Sequence, residues 1–223
     1  MSTKTKGEIA AIRAALSDAR MGTYEAATSV TDAADPRAVE LYAWNAQVSA
    51  ALLVPLHICE VVVRNAVSDA LTAVYGPRWP WSVGFEKSFS ATRIGYDPRR
   101  DLQKVRSFHA TVGKVIPELR FVFWQNLFTG RYDARLWNPY LVRVFPNIDT
   151  TETVQRVRKR IHDDLGQIRE LRNRIAHHEP IFGRNLSSDL QRIQELVELR
   201  CRLTSTWMTT TSSLAPVVIA ARP

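Results

Sequence analysis

The sequence predicts an all-α protein, and three observations carry that reading. Glycine is scarce, at 9 of 223 residues, apolar residues recur at helical spacing, and no stretch sustains the period-two alternation between turn residues that a strand ladder needs. With 45% hydrophobic residues, the chain is long enough to bury one sizeable core, so residues 1–223 read as a single helical domain with loop insertions.

Glu8 to Arg20 reads as a first short helix ended by Gly22. After a small-residue stretch, Asp35-Pro36 offers a cap and a first-turn proline to a long pattern through Leu41, Trp44, Val48, Leu52, Leu56, Val63, Val67, Leu71 and Val74. Gly76-Pro77 stops it, and Pro55 inside it predicts a kink or a junction between two helices. Arg78 to Tyr96 has no clear period, but Trp79, Trp81, Phe85 and Phe89 need burial, which predicts an ordered loop. Asp97-Pro98 repeats the cap-plus-proline signature and opens a helix through Leu102, Val105, Phe108, Val112 and Val115 to Pro117. The aromatics between Phe121 and Phe128, with Trp137, Tyr140 and Phe145, read as core.

Asp149 and Glu152 have the spacing of a capping box, ahead of the cleanest periodicity in the chain: Val154, Val157, Ile161, Leu165, Ile168, Leu171 and Ile175. That helix must end by Glu179, because Pro180 disfavours the α conformation in the residue before it. A last helix spans roughly Ser188 to Trp207 through Leu190, Ile193, Val197 and Leu203, and residues 208–223 read as a frayed tail.

Cys59 and Cys201 lie far apart within apolar patterns. They support neither a disulfide framework nor a zinc site, and they read as small buried hydrophobes in a reducing compartment. The N-terminal stretch carries Glu8, Arg13, Asp18 and Arg20, unlike a secretory signal, and the apolar run Ala50 to Ile58 is interrupted by Pro55 and His57 and too short to cross a bilayer. The expectation is a cytoplasmic protein with no membrane partner. The net charge of +8 is uneven: residues 1–77 hold 6 basic and 8 acidic groups, residues 78–143 hold 12 and 5, and residues 144–223 hold 12 and 9. A basic middle third suits a polyanion such as RNA, and it suits a solvated arginine-rich surface equally. Arg99, Arg100, Lys104 and Arg106 form its densest cluster and are the candidate RNA-binding residues.

The stretch Arg169-Glu-Leu-Arg-Asn-Arg-Ile-Ala-His-His-Glu-Pro-Ile-Phe182 carries the candidate chemistry. Within it Arg172, Asn173 and His177 form Arg-Asn-x-x-x-His at the end of the strongest helix. A histidine, with an ordinary pKa of about 6.5, can take the proton of a ribose 2′-OH or protonate a leaving oxygen. An arginine stays charged and can fork onto phosphoryl oxygens as negative charge grows. Asn173 could orient a phosphate oxygen or the imidazole. Five residues turn an ideal helix by about 140°, so Arg172 and His177 meet at one phosphate only if the helix loosens before Pro180 or two subunits contribute. The same residues also fit a simpler reading, in which Arg174, His177 and His178 complement the helix C-terminus.

The surrounding string separates these readings. LRNRIAHHEPIF resembles the signature of the Abi-like (abortive infection) family of the HEPN superfamily, in which Leu-Arg-Asn-x-x-x-His-His-Glu-Pro carries an Arg-x(4–6)-His motif. Leu41-Tyr-Ala-Trp-Asn45 with His57-Ile-Cys-Glu-Val-Val-Val-Arg-Asn65 is similar to the family's early helix. Phe121-Val-Phe-Trp-Gln-Asn-Leu-Phe128 with Trp137 is similar to its central segment, so the resemblance covers residues 39–182. It implies an α-helical bundle with family insertions, a homodimer with a composite cleft, and RNA cleavage without a metal or cofactor, leaving a 2′,3′-cyclic phosphate, in phage defence or a toxin-like role. Arg172 and His177 match its catalytic pair and Asn173 its polar neighbour, while His178 and Glu179 match the string alone. Glu60 and Arg64 have the spacing of an intrahelical ion pair, and Glu60 is also a candidate to reach the Arg172–His177 region. The alternatives are a non-catalytic RNA-binding or dimerisation module on the same fold, and an antitoxin-like or sensory partner of another protein.

Overall fold

The computed structural model describes residues 5–90 and 95–223, and among these every regular element is helical. In chain order the helices are α1 (Lys6–Leu16), α2 (Asp18–Thr28), α3 (Arg37–Tyr75), α4 (Val83–Glu86), α5 (Pro98–Phe108), α6 (Val112–Glu118), α7 (Phe121–Asn126), α8 (Asn138–Val144), α9 (Val154–Ala176), α10 (Leu186–Arg200), α11 (Arg202–Thr211) and α12 (Leu214–Ala220). Short 3-10 turns at Trp79–Trp81 and Gly130–Tyr132, and a π-helical turn at Asp133–Trp137, complete the set.

The 39-residue α3 is the axis around which the rest is built, packing against α1, α2, α7, α8, α9, α10, α11 and α12. Its periodic apolar residues from Leu41 to Leu71 are buried, each on the order of 1.5–3 kcal/mol of burial. It runs through Pro55 as one helix. The helix starts one residue later than the sequence indicates, with Pro36 at the N-cap, and Asp35 sits just before it, its Oδ1 accepting from the Arg37 N–H at 2.9 Å. By length and composition α3 could cross a membrane, which the short run at Ala50–Ile58 concealed because the apolar residues are spread along the whole helix.

Around this axis the central aromatics form the core. Trp79, Phe85, Phe89, Phe123 and Trp124 meet edge-on or tilted, while Trp137 stacks on Phe128 at 4.3 Å and donates its indole N–H to the Leu127 carbonyl at 2.7 Å. In α9, all six apolar residues from Val157 to Ile175 are buried. Cys59 is fully buried, and burial, with the neighbouring Glu60 charge, pushes its thiol up to about 12.

Several boundaries differ from the sequence reading. Ser17 ends α1 and caps α2, so the first segment is two helices; Gly22 lies inside the second, which buried Met21 and Tyr24 hold in place. Residues 78–90 are partly helical, and 91–94 of that expected loop lie outside the described residues. The chain turns extended at His109, which divides the expected Asp97–Pro117 helix and leaves Phe108 76% exposed. Asp149 makes a local turn by accepting from Thr151, and the N-cap falls four residues later, at Thr153, whose hydroxyl accepts from the Arg156 N–H. An extended Cys201, only partly buried, splits the last expected helix, and Leu203 is 82% exposed. The expected frayed tail is instead helical through Ala220. Met208 and Ala215 are buried, and the Trp44 indole donates to the Val218 carbonyl at 2.7 Å.

Candidate functional site

Helix α9 ends in a full Schellman turn. The His177 N–H bonds to the Asn173 carbonyl at 2.9 Å, that of His178 to Ile175 at 3.1 Å, and that of Glu179 to Arg174 at 2.8 Å. These bonds satisfy carbonyls that a helix end would otherwise leave open. The closing position needs a left-handed backbone, and His178 supplies it with φ 56°. For a residue with a Cβ that conformation costs roughly 1–2 kcal/mol.

Surrounding contacts hold the turn in place. Arg20 donates to the His178 carbonyl at 2.6 Å, Arg174 to that of Pro180 at 3.1 Å, and the Ile181 N–H to the buried Asn45 side chain at 2.8 Å. Phe182 meets Tyr24 edge-on at 5.3 Å, and Arg184 forks onto the buried Asp189 carboxylate at 2.8 and 3.0 Å. Helices α2, α3 and α10 therefore fix where the two histidines emerge.

No loosening precedes the histidines. Helix α9 runs to Ala176, and the His177 N–H still bonds four residues back. Arg172 and His177 thus remain on different faces of one chain, about 140° apart on ideal geometry. Arg172 and Asn173 line a cleft of about 360 Å³ between α3, the α6–α7 turn and α9. His178 lines a different cavity, about 260 Å³, with Tyr24, Tyr42, Asn45 and Leu53. His177 is exposed at the end of α9, and Glu179, also exposed, lies 3.8 Å from Arg174.

The cleft brings Glu60 to Arg172. Glu60 pairs with Arg64 one turn along α3, as its spacing indicates, and its other oxygen lies 3.9 Å from Arg172 Nε. Arg64 also donates to the Pro117 carbonyl at 3.1 Å, while its buried Nε finds no acceptor among the described residues. Burial lowers the Arg64 pKa, the Arg172 charge adds to that, and Glu60 opposes it.

The predicted RNA-binding cluster is divided on α5. Arg99 donates to the Phe89 carbonyl at 2.9 Å; Arg106 donates to Pro80 at 2.9 Å and pairs with Glu86 at 2.5 Å. Arg100, 86% exposed beside Asp97, and exposed Lys104 are left facing solvent. The sequence reading passed over Arg120 and Arg169, which share the cleft with Arg64 and Arg172. A signal was present for one of them: Arg169, Arg172 and Asn173 are spaced i, i+3, i+4 and so share a helix face. Among the described residues no group of three or more His, Cys, Asp or Glu side chains is placed to hold a metal ion.

No family model, no curated protein and no solved structure matches this chain.

Proposed function

We propose that this protein is a metal-independent endoribonuclease of the HEPN type, an Abi-like protein acting in phage defence or in a toxin-like role in the cytoplasm. The observation that carries the proposal is the Arg172-Asn173-x-x-x-His177 string at the end of α9, with Arg172 and Asn173 lining an arginine-rich cleft, His177 exposed outside it, and the Arg172 side chain 44% exposed and only loosely paired to Glu60. In the proposed reaction a ribose 2′-oxygen attacks the adjacent phosphorus and the bond to the 5′-oxygen breaks. His177 takes the 2′-OH proton or returns a proton to the leaving oxygen. Arg172 stabilises the charge gathering on the phosphoryl oxygens, and Asn173 positions one of them. The products are a 2′,3′-cyclic phosphate and a free 5′-hydroxyl.

Because one α9 presents its arginine and its histidine to different sides, the active form in this proposal is a homodimer whose site takes groups from both copies. An apolar stripe on α3 supports that form. Ala46, Ala50, Leu53 and Val61 are exposed, fall within about 80° of one another on an ideal helix, and run beside the cavity that holds Ile175 and His178. Only 33% of the most apolar stretch of α3 is buried in the single chain, and apolar faces of this kind mark association surfaces.

A binding-only role, as a non-catalytic RNA-binding or dimerisation module, draws support from the same geometry, since Glu60 offsets part of the Arg172 charge. One assay separates the two. Total RNA incubated with the purified protein in EDTA is cut by the wild type and left intact by His177→Ala; a wild type that binds RNA without cutting it leaves the binding-only role standing.

A further inference from the structure

The α3–α9 cleft contains more positive charge than the proposed chemistry uses. Arg64 from α3, Arg120 from the start of α7, and Arg169 and Arg172 from α9 line one space of about 360 Å³. Two carboxylates are close by, Glu118 on the wall and Glu60 beneath Arg64 and Arg172. With Asp101 beside Arg120, four guanidiniums face three carboxylates, a net +1. The arginines are not equally committed. Arg64 is held by Glu60 and the Pro117 carbonyl, with its Nε unsatisfied among the described residues. Arg120 lies 3.7 Å from Asp101 with its side chain 68% exposed. The Arg169 side chain has no hydrogen-bond or ion-pair partner among the described residues. Arg169 without a partner among the described residues, and Arg120 and Arg172 with carboxylates no closer than 3.7 Å, leave donors open to an anion, and the planar fork of a guanidinium matches phosphate oxygens.

We propose that this cleft binds a phosphodiester of the RNA backbone next to the one that is cut, with Arg169 and Arg120 as its outer ligands and Arg64 at its base. The site would hold the strand in register while Arg172, at the edge of the same cleft, serves the reacting phosphate. This assignment rests on the nuclease reading for the identity of the strand, but binding can be measured without cleavage.

The test uses the full-length protein and a single-stranded RNA carrying 2′-O-methylribose throughout, which cannot be cut through a 2′-oxygen. Affinity is measured against salt for the wild type, Arg169→Gln, Arg120→Gln and, as a control for charge alone, Arg202→Gln on α11. Each cleft substitution is expected to weaken binding about three- to tenfold and to lower the slope of log affinity against log salt by about 0.7, the value for one phosphate contact on a single strand. The control should change affinity by less than about twofold. Equal effects at Arg202 and Arg169, unchanged affinity in both cleft variants, or a wild type that binds no strand would each overturn the proposal. Weakening confined to strands with a terminal 5′-phosphate would also overturn it in favour of an end-binding site, and displacement by polyglutamate as readily as by RNA would point to an acidic protein segment. If the wild type proves unable to cut RNA while the cleft variants lose affinity as expected, the nuclease reading fails and the phosphate site stands.

Discussion

Two basic regions of this protein look alike in charge and differ in what the fold leaves free. On α5, Arg99, Arg100, Lys104 and Arg106 are packed into eight residues of sequence, yet Arg99 and Arg106 turn inward to the Phe89 and Pro80 carbonyls and to Glu86. In the α3–α9 cleft the arginines come from positions as far apart as 64 and 172, and they converge on one space. Charge density along a chain counts residues; an anion responds to donors that have no other acceptor. The contrast predicts that the cleft dominates RNA chemistry and that much of the α5 cluster is structural.

The largest expected effect tests that contrast directly. Arg172→Ala should lower single-turnover RNA cleavage roughly 10²-fold or more, the scale of a lost transition-state contact, while Arg100→Ala should change it less than about twofold. Comparable losses in both would erase the distinction between the regions. His177→Ala should match Arg172→Ala in cleavage with its melting temperature nearly intact. A destabilised but fully active His177→Ala would return that residue to a purely capping role.

Mixing the two inactive variants sharpens the reading further. If one copy supplies the arginine and the other the histidine, random reassortment makes half the dimers mixed, each with one of two sites intact, so activity recovers to roughly a quarter of wild type. No recovery after subunit exchange, demonstrated with differently tagged copies, would place both groups of each site on one chain.

Glu60→Gln should act mainly on stability. It leaves the charged Arg64 with a neutral partner, and an ion-pair hydrogen bond reduced to one from a charged donor to a neutral acceptor costs about 1–2 kcal/mol, readable in urea denaturation. Cleavage should fall as well, because the same carboxylate lies 3.9 Å from Arg172. Unchanged stability and unchanged cleavage together would remove Glu60 from the site. The smallest effect belongs to the outward face of α5. Arg100→Gln with Lys104→Gln should weaken RNA binding less than either single substitution in the cleft, and the reverse ranking would restore α5 as the main RNA surface.

Local pattern made much of this protein legible in advance. The all-helical class, the periodic core of α3 and α9, the Asp97 cap, the stop at Gly76 and the end of α9 before Pro180 all follow from side-chain spacing and backbone preference over a few residues. The Glu60–Arg64 pair was legible for the same reason, since one helical turn brings its members together. Tertiary structure decided what depends on partners distant in sequence. Residues 208–220 are ordered because Trp44, 174 residues upstream of Val218, offers an indole N–H, and α2 continues through Gly22 because Met21 and Tyr24 are buried. Which arginines remain free is a decision of the same kind. A guanidinium is neutralised by whatever carbonyl or carboxylate the fold brings near it, so the sequence could count the charges, but only the packing of α3, α6, α7 and α9 could set Arg64, Arg120, Arg169 and Arg172 around one cleft and spend Arg99 and Arg106 elsewhere.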